Sequence, residues 1–497
     1  LLQRIGWVSI GRASSTLAIY GVYAMAARTW ERDVCGIFNT VWLLSNAFVP
    51  IFLLGIPTAT LYFYPKRENS KALAFQAGTL LLVSAIFMVT FVFWGSTQVL
   101  YELDLLKKNS HLFDGFLIAF LPYLFVQVAG GVIDSMLIAR GCARTQAMLA
   151  MFGSVGLCSI SLWGWWFHAS PTYVLALMSV IGVLRVLLGY AILWSELENE
   201  DVIEFKGIKQ FVLYTRSIAL NDTLGAISRS VDRFVVLALL GTTVFADYHF
   251  GAIEMPIALL LSAIASVLVP EFSRLFTAGN LQEIRLLWKN VVSGMSVLVL
   301  PLCCFLLAFC DIIISIYLPR QYVSSTWVFG VFLLMLPLRC AIFNPLLVGI
   351  GKASWAFGGS LLDLVLNLCL SFSFVKLLLL YFPEWAFIGP AFATVIATYT
   401  QVFFLLFVIS RHLHWKVTEV LPWKSIFRRF GLAAVAASVS RMICDFLPNL
   451  IPILSLSAGL VSFVLMLVVI THFSSKDRHE LEILLHSLRI GGRRIDR

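Results

Sequence analysis

Fourteen apolar stretches of roughly 20 residues, divided by short charged loops, occupy almost the whole chain, from Gly6–Ala27 to Ile451–His472. At about 1.5 Å of rise per residue, a stretch of this length matches a hydrocarbon layer about 30 Å thick. Lipid offers the backbone no hydrogen-bond partner, so each stretch must satisfy its own amides as a helix. The spans read as 6–27, 35–61, 72–95, 113–139, 146–168, 172–195, 216–240, 245–269, 289–310, 325–349, 355–380, 385–409, 425–446 and 451–472. Little is left for a soluble domain, and the expected fold is an all-α, polytopic membrane protein.

Composition limits the chemistry. Hydrophobic residues make up 60% and charged residues 13%, and the mean hydropathy is +0.91. The nine cysteines are odd in number, lie almost entirely within apolar spans and form no C-x-x-C pair, so they read as small hydrophobes. The eight histidines show no H-E-x-x-H spacing. No metal centre and no cofactor is expected.

Basic residues set the topology. With the N-terminus inside, cytoplasmic segments and adjoining span ends hold 25 of the 36 Lys and Arg, among them Lys66, Arg67, Lys71, Arg140, Arg144, Lys206, Lys209 and Lys352. The opposite side holds six, and five lie within spans: Arg185, Arg229, Arg233, Arg339 and Arg441. Positive charge is retained on the cytoplasmic side of membranes, so both termini are expected there. The net charge of +9 is spread over many loops without interleaved exposed aromatics, which argues against nucleic acid as a partner. Three cytoplasmic segments, Asn199–Thr215, Glu271–Trp288 and Lys476–Ile490, alternate apolar and charged residues as helices lying on the membrane surface do.

The chain also repeats. Span two ends in Leu54-Gly55-Ile56-Pro57 and span eight in Val267-Leu268-Val269-Pro270, each before a basic segment. Span four exits through Gly141-Cys142-Ala143-Arg144 and span ten through Gly349-Ile350-Gly351-Lys352, at a similar separation. Six spans lie between the copies, an even number, so the copies share one orientation. The expected arrangement is two parallel six-helix bundles, residues 1–204 and 205–412, followed by two further spans in 413–472 and a cytoplasmic tail, 473–497. Prolines within spans (50, 57, 122, 256, 301, 337, 345 and 390) suit helices that bend between inward-open and outward-open shapes.

Polar residues at membrane depth point to the chemistry. Asp222, Arg229 and Arg233 in span seven are spaced i, i+7, i+11, which places them within about 40° on a helix. Charge in hydrocarbon is costly, so the stripe faces either water or opposite charge. In one reading these residues neutralise one another between helices. In the other, Arg229, Arg233 and Arg339 bind phosphate through the guanidinium fork, while Asp222, Glu254 and Asp363 couple ions or balance charge. Arg185, Asp134, Gln127 and Asn367 are further polar groups at depth.

The run Arg28-Thr-Trp-Glu31-Arg-Asp-Val-Cys-Gly36-Ile-Phe38, with Leu54-Gly-Ile-Pro57 and the Gly-containing exits at 141–145 and 349–353, resembles polysaccharide flippases. These form part of the multidrug/oligosaccharidyl-lipid/polysaccharide (MOP) exporter superfamily. Multidrug exporters of that superfamily carry a carboxylate in span one, and Gly6–Ala27 has no Asp or Glu. Lipid II flippases cluster arginines on the first two spans, whereas this chain has only Arg12 near the inner end of span one. The resemblance therefore implies movement of a polyprenyl-pyrophosphate-linked oligosaccharide, of O-antigen type, across a cell (inner) membrane. A lipid II flippase and an ion-coupled multidrug exporter are the alternatives. Implied partners are the lipid-linked glycan, membrane lipids and other polysaccharide-assembly proteins. An enzyme such as a glycosyltransferase is not expected, because the longest outer connection, Gly95–Leu112, offers only Glu102 and Asp104.

Overall fold

The computed structural model describes residues 2–64, 69–102, 110–196, 207–253, 268–269, 271–446 and 451–472. Among these there is no strand, and the chain is a multi-pass, all-helical membrane protein. The Lys66–Arg67 loop, Glu254, most of the eighth span and the 476–490 tail segment lie outside the described residues. Ten helical stretches among the described residues are long and apolar enough to cross a bilayer. The other four expected spans fall short for separate reasons. Span eight is only partly described, and in span fourteen the stretch that qualifies as an apolar helix is Pro452–Leu467. Spans one and thirteen are diluted by small and basic residues.

Packing divides the chain into two units, Leu1–Ala246 and Asp247–Arg497. This division follows contact, whereas the boundary at 204/205 follows the sequence repeat.

The first unit contains α1 (Leu2–Thr29), α2 (Arg32–Phe52), α3 (Ile56–Phe63), α4 (Ser70–Glu102), α5 (Ser110–Ala129), α6 (Gly131–Arg140), α7 (Ala143–Trp166), α8 (Pro171–Glu196) and most of α9 (Ile208–Gly251). Spans two and four are each made of two helices. The first break, at Leu53–Gly55, holds Leu54 and Gly55 at φ of 52° and 66°. The second, at Gly130, packs directly on the first: a Cβ on Gly131 would lie 2.4 Å from Leu53 Cδ2. Breaks expose carbonyls that lipid cannot satisfy. Here Ser84 Oγ donates to Phe52 O at 2.6 Å, and the Tyr190 hydroxyl donates to Ala129 O at 2.6 Å. In α9 the helical path is broken at Gly241, at φ 80° and ψ 178°.

The second unit contains α10 (Leu281–Ala308), α11 (Cys310–Tyr317), α12 (Ser325–Leu333), α13 (Phe343–Gly349), α14 (Ala353–Tyr381), α15 (Gly389–Leu413), α16 (Trp423–Asp445) and α17 (Pro452–His472). Span ten is again two helices, α12 and α13, joined by a 3-10 turn over Leu336–Cys340. Its freed Leu334 carbonyl takes a hydrogen bond from the Tyr399 hydroxyl at 2.9 Å. Tyr190 in span six and Tyr399 in span twelve thus do the same work at the break of spans four and ten. Their separation in sequence matches that of the Gly-containing exits.

Arginine fastens α16 to its neighbours in this unit. Buried Arg429 of α16 donates to Ser293 O, Ser293 Oγ and Ser296 Oγ of α10 at 2.6–2.9 Å. Arg441 forks onto both oxygens of Asp311 at 2.8 and 2.9 Å and also meets Asp445.

Candidate functional site

The first unit encloses a cavity of about 490 Å³ between α1, the α2/α3 break, α5, α6, α7 and α8. The breaks of spans two and four both reach it, through Leu53 and Pro57 on one side and Gly130 and Gly131 on the other. Its wall is mostly apolar, with the polar groups gathered from several helices. A seam of small residues brings α1 against α7: Gly11 lies close to Ala147 and Ala150, and the Ser15 and Ser154 hydroxyls meet at 3.3 Å beside the cavity.

The charged lining residues are Arg12, Asp134 and Arg185. Arg185 of α8 donates from Nη2 to Asp134 Oδ2 of α6 at 2.9 Å. The pair is about one-third exposed, so it meets the cavity rather than a sealed core. It is incompletely satisfied: Asp134 Oδ1 and Arg185 Nε are buried and have no hydrogen-bond partner among the described residues. A buried polar atom left unpaired is costly, and such atoms at a cavity are where a ligand contributes most. Tyr123 and Gln127, four residues apart on α5, line the same wall. Two guanidiniums against one carboxylate leave the lining with one net positive charge. An apolar chamber with a few converging donors and excess positive charge is suited to an anionic, hydroxyl-rich ligand.

The residues singled out from sequence fall in several places. Arg185, Asp134 and Gln127 line the cavity together, as does Arg12. Arg229 and Arg233 stand on α9, outside this lining. The Arg229 guanidinium lies over Gly225 and within electrostatic reach of Asp222, one stripe of a single helix as the spacing predicts. Arg339 is in the second unit, exposed in the 3-10 turn that breaks span ten. Asp363 accepts from Thr398 at 3.4 Å, and buried Asn367 accepts from Ser371 and Thr394 at 2.9 and 3.2 Å. The two threonine bonds cross from α15 to α14 as a polar seam, while the Ser371 bond stays within α14. Glu254 lies outside the described residues. Ser15, Ser154 and Tyr123 were not legible beforehand, because Ser and Tyr inside apolar spans carry no distinctive spacing. Among the described residues no group of His, Cys, Asp and Glu could hold a metal ion.

Residues 116–326 match a family model described as a polysaccharide biosynthesis protein. The matched stretch includes Tyr123, Gln127, Asp134, Arg185, Arg229 and Arg233. Among solved structures, the fold is similar to the lipid II flippase MurJ in an inward closed conformation. That likeness has 13% identity and a TM-score of 0.70, and covers 94% of this chain and 98% of that one. It is also similar to an inward-facing multidrug resistance MATE family transporter, with 13% identity, a TM-score of 0.64 and coverage of 83% and 95%. A MOP superfamily transporter from Pyrococcus furiosus gives 14% identity, a TM-score of 0.60 and coverage of 84% and 96%. No curated protein matches by sequence. At these identities the likeness shows the fold alone, which is similar to that of these transporters.

Proposed function

We propose that this chain flips a polyprenyl-pyrophosphate-linked oligosaccharide from the cytoplasmic to the outer leaflet of a cell membrane by alternating access, with both termini cytoplasmic. The observation that carries the reading is the incompletely satisfied Arg185–Asp134 pair, with Arg12, in a cavity of the first unit. The polysaccharide-biosynthesis match over the same residues supports it.

In this reading the pyrophosphate replaces part of its hydration with guanidinium donors, and the sugars meet Gln127, Tyr123 and the serine hydroxyls. A bound anion competes with Asp134 for Arg185, so arrival of the head group loosens a contact between α6 and α8. The broken spans, held by hydroxyl donors, are the places where helices can change angle without stranding a carbonyl. Arg229, Arg233 and Arg339 are proposed as further phosphate contacts along the route, with Asp222, Glu254 and Asp363 as charge balance or ion coupling. The apolar chain stays in lipid throughout.

Arg185→Ala and Arg12→Ala are each expected to trap lipid-linked glycan on the cytoplasmic leaflet at normal protein abundance, with drug tolerance unchanged. Leaflet-specific labelling of the glycan and of lipid II in cells checks this, and normal distribution of both in the two variants rejects the site. The likeness to a lipid II flippase supports a second reading in which lipid II is the cargo. The same cells would then accumulate lipid II on the cytoplasmic leaflet and keep normal surface glycan.

A further inference from the structure

The first turns of α9 carry Lys209, Val212, Leu213, Arg216 and Leu220, spaced i, i+3, i+4, i+7 and i+11. This is one face of a helix. In most helices such a face is packed, but here it is open: Leu213 is 68% exposed, Leu220 59% and Val212 46%. The face lines one wall of a groove of about 780 Å³, and Ile51 and Leu54 line the other. That volume lies within the usual range of about 300–1,000 Å³ for small-molecule sites.

The groove is held in shape from behind. Phe211 on the opposite side of α9 is buried, and Tyr214 stacks on Tyr62 with ring centroids 4.4 Å apart and meets Phe63 edge-on. At its floor the α2/α3 break presses on α9: a Cβ on Gly55 would lie 2.7 Å from Ile218 Cγ2. Leu54, left-handed at φ 52° and 40% exposed, lines the groove beside this contact.

Two further facts identify an occupant. The only charged lining residues are Lys209 and Arg216, both exposed, and no lining residue is acidic. An apolar groove on the outside of a membrane helix is filled by acyl chains, and basic side chains at its end reach for head-group phosphate. We propose that this groove binds an anionic phospholipid of the bilayer. Its acyl chains lie along Val212, Leu213, Leu220, Ile51 and Leu54, and its phosphate is held by Lys209 and Arg216. The site is separate from the cargo cavity and stands whatever the cargo is.

The test is native mass spectrometry of the whole chain, released from detergent after incubation with equimolar phosphatidylglycerol and phosphatidylcholine of the same chain length. Two surface cations predict an excess of bound phosphatidylglycerol on the order of tenfold. The Lys209→Gln/Arg216→Gln double variant should level the two lipids while keeping the wild-type melting temperature, since both side chains are exposed. Ala219→Trp, which fills the groove, should lower retention of both. An undiminished phosphatidylglycerol excess in the double variant overturns the proposal. So does displacement of phosphatidylglycerol from the wild type by an equimolar polyprenyl phosphate, which would make the groove a seat for the cargo's tail. Loss of the lipid excess only on dimer formation would assign the face to a second copy of the chain and overturn it too.

Discussion

Arginine within the spans serves two kinds of purpose, and the partner decides which. Arg429 spends its donors on the backbone and hydroxyls of one neighbouring helix, and Arg441 closes a bidentate pair with Asp311. Removing Arg429 strands buried acceptors and removing Arg441 leaves Asp311 without its bidentate partner, so both act as fasteners. Arg185 keeps a free Nε at a cavity, as expected of a group with an unmet ligand. Arg229 lies between these cases, near Asp222 on its own helix. Its proposed phosphate contact predicts that Arg229→Ala abolishes surface glycan, whereas Arg229→Lys keeps partial activity because charge persists without the bidentate fork. Leaflet labelling together with immunodetection of the protein checks both variants. Equal loss of protein in the two would make Arg229 a structural member of a pair instead.

Among the elements, the broken spans carry the most information. A break in lipid stands only if its carbonyls find donors, and Tyr190 and Tyr399 provide them at the two related positions. Removing one hydroxyl leaves a carbonyl short of a partner, at a cost of about 1–3 kcal/mol. Tyr190→Phe and Tyr399→Phe should therefore each lower the melting temperature in detergent by a few degrees. Tyr381→Phe, at a position 65% exposed, should not. Unchanged melting in both break variants would show the bonds to be dispensable. The sequence suggested bending through its prolines, and some do sit inside helices, such as Pro50, Pro122 and Pro301. Others begin elements instead: Pro57 and Pro390 lie in the first turn of α3 and α15, where a missing N–H is harmless. The breaks of spans two and four themselves fall at Leu53–Gly55 and at Gly130.

For the whole molecule, the parallel repeat predicts that the loop after α3 and the loop after α13 face the same side. Single cysteines at Asn69 and Lys352, introduced after replacing the nine native cysteines, should both react with an impermeant reagent only from the cytoplasmic face. Labelling from opposite faces would reject the repeat. The helical, many-times-crossing character of the chain was legible in sequence because the bilayer leaves so few choices: about 20 apolar residues must cross it, and only as a helix. The stripe on α9 was legible for the same reason, since helical geometry is local. The cavity was not. Arg12, Asp134 and Arg185 come from three helices far apart in sequence, and no local spacing records that α6 and α8 meet. Which arginine fastens a helix and which faces a cavity depends on the neighbour that packing supplies. The chain's own pattern therefore determined that it crosses the membrane many times as helices, while tertiary packing alone decided which of its buried charges remain available to a ligand.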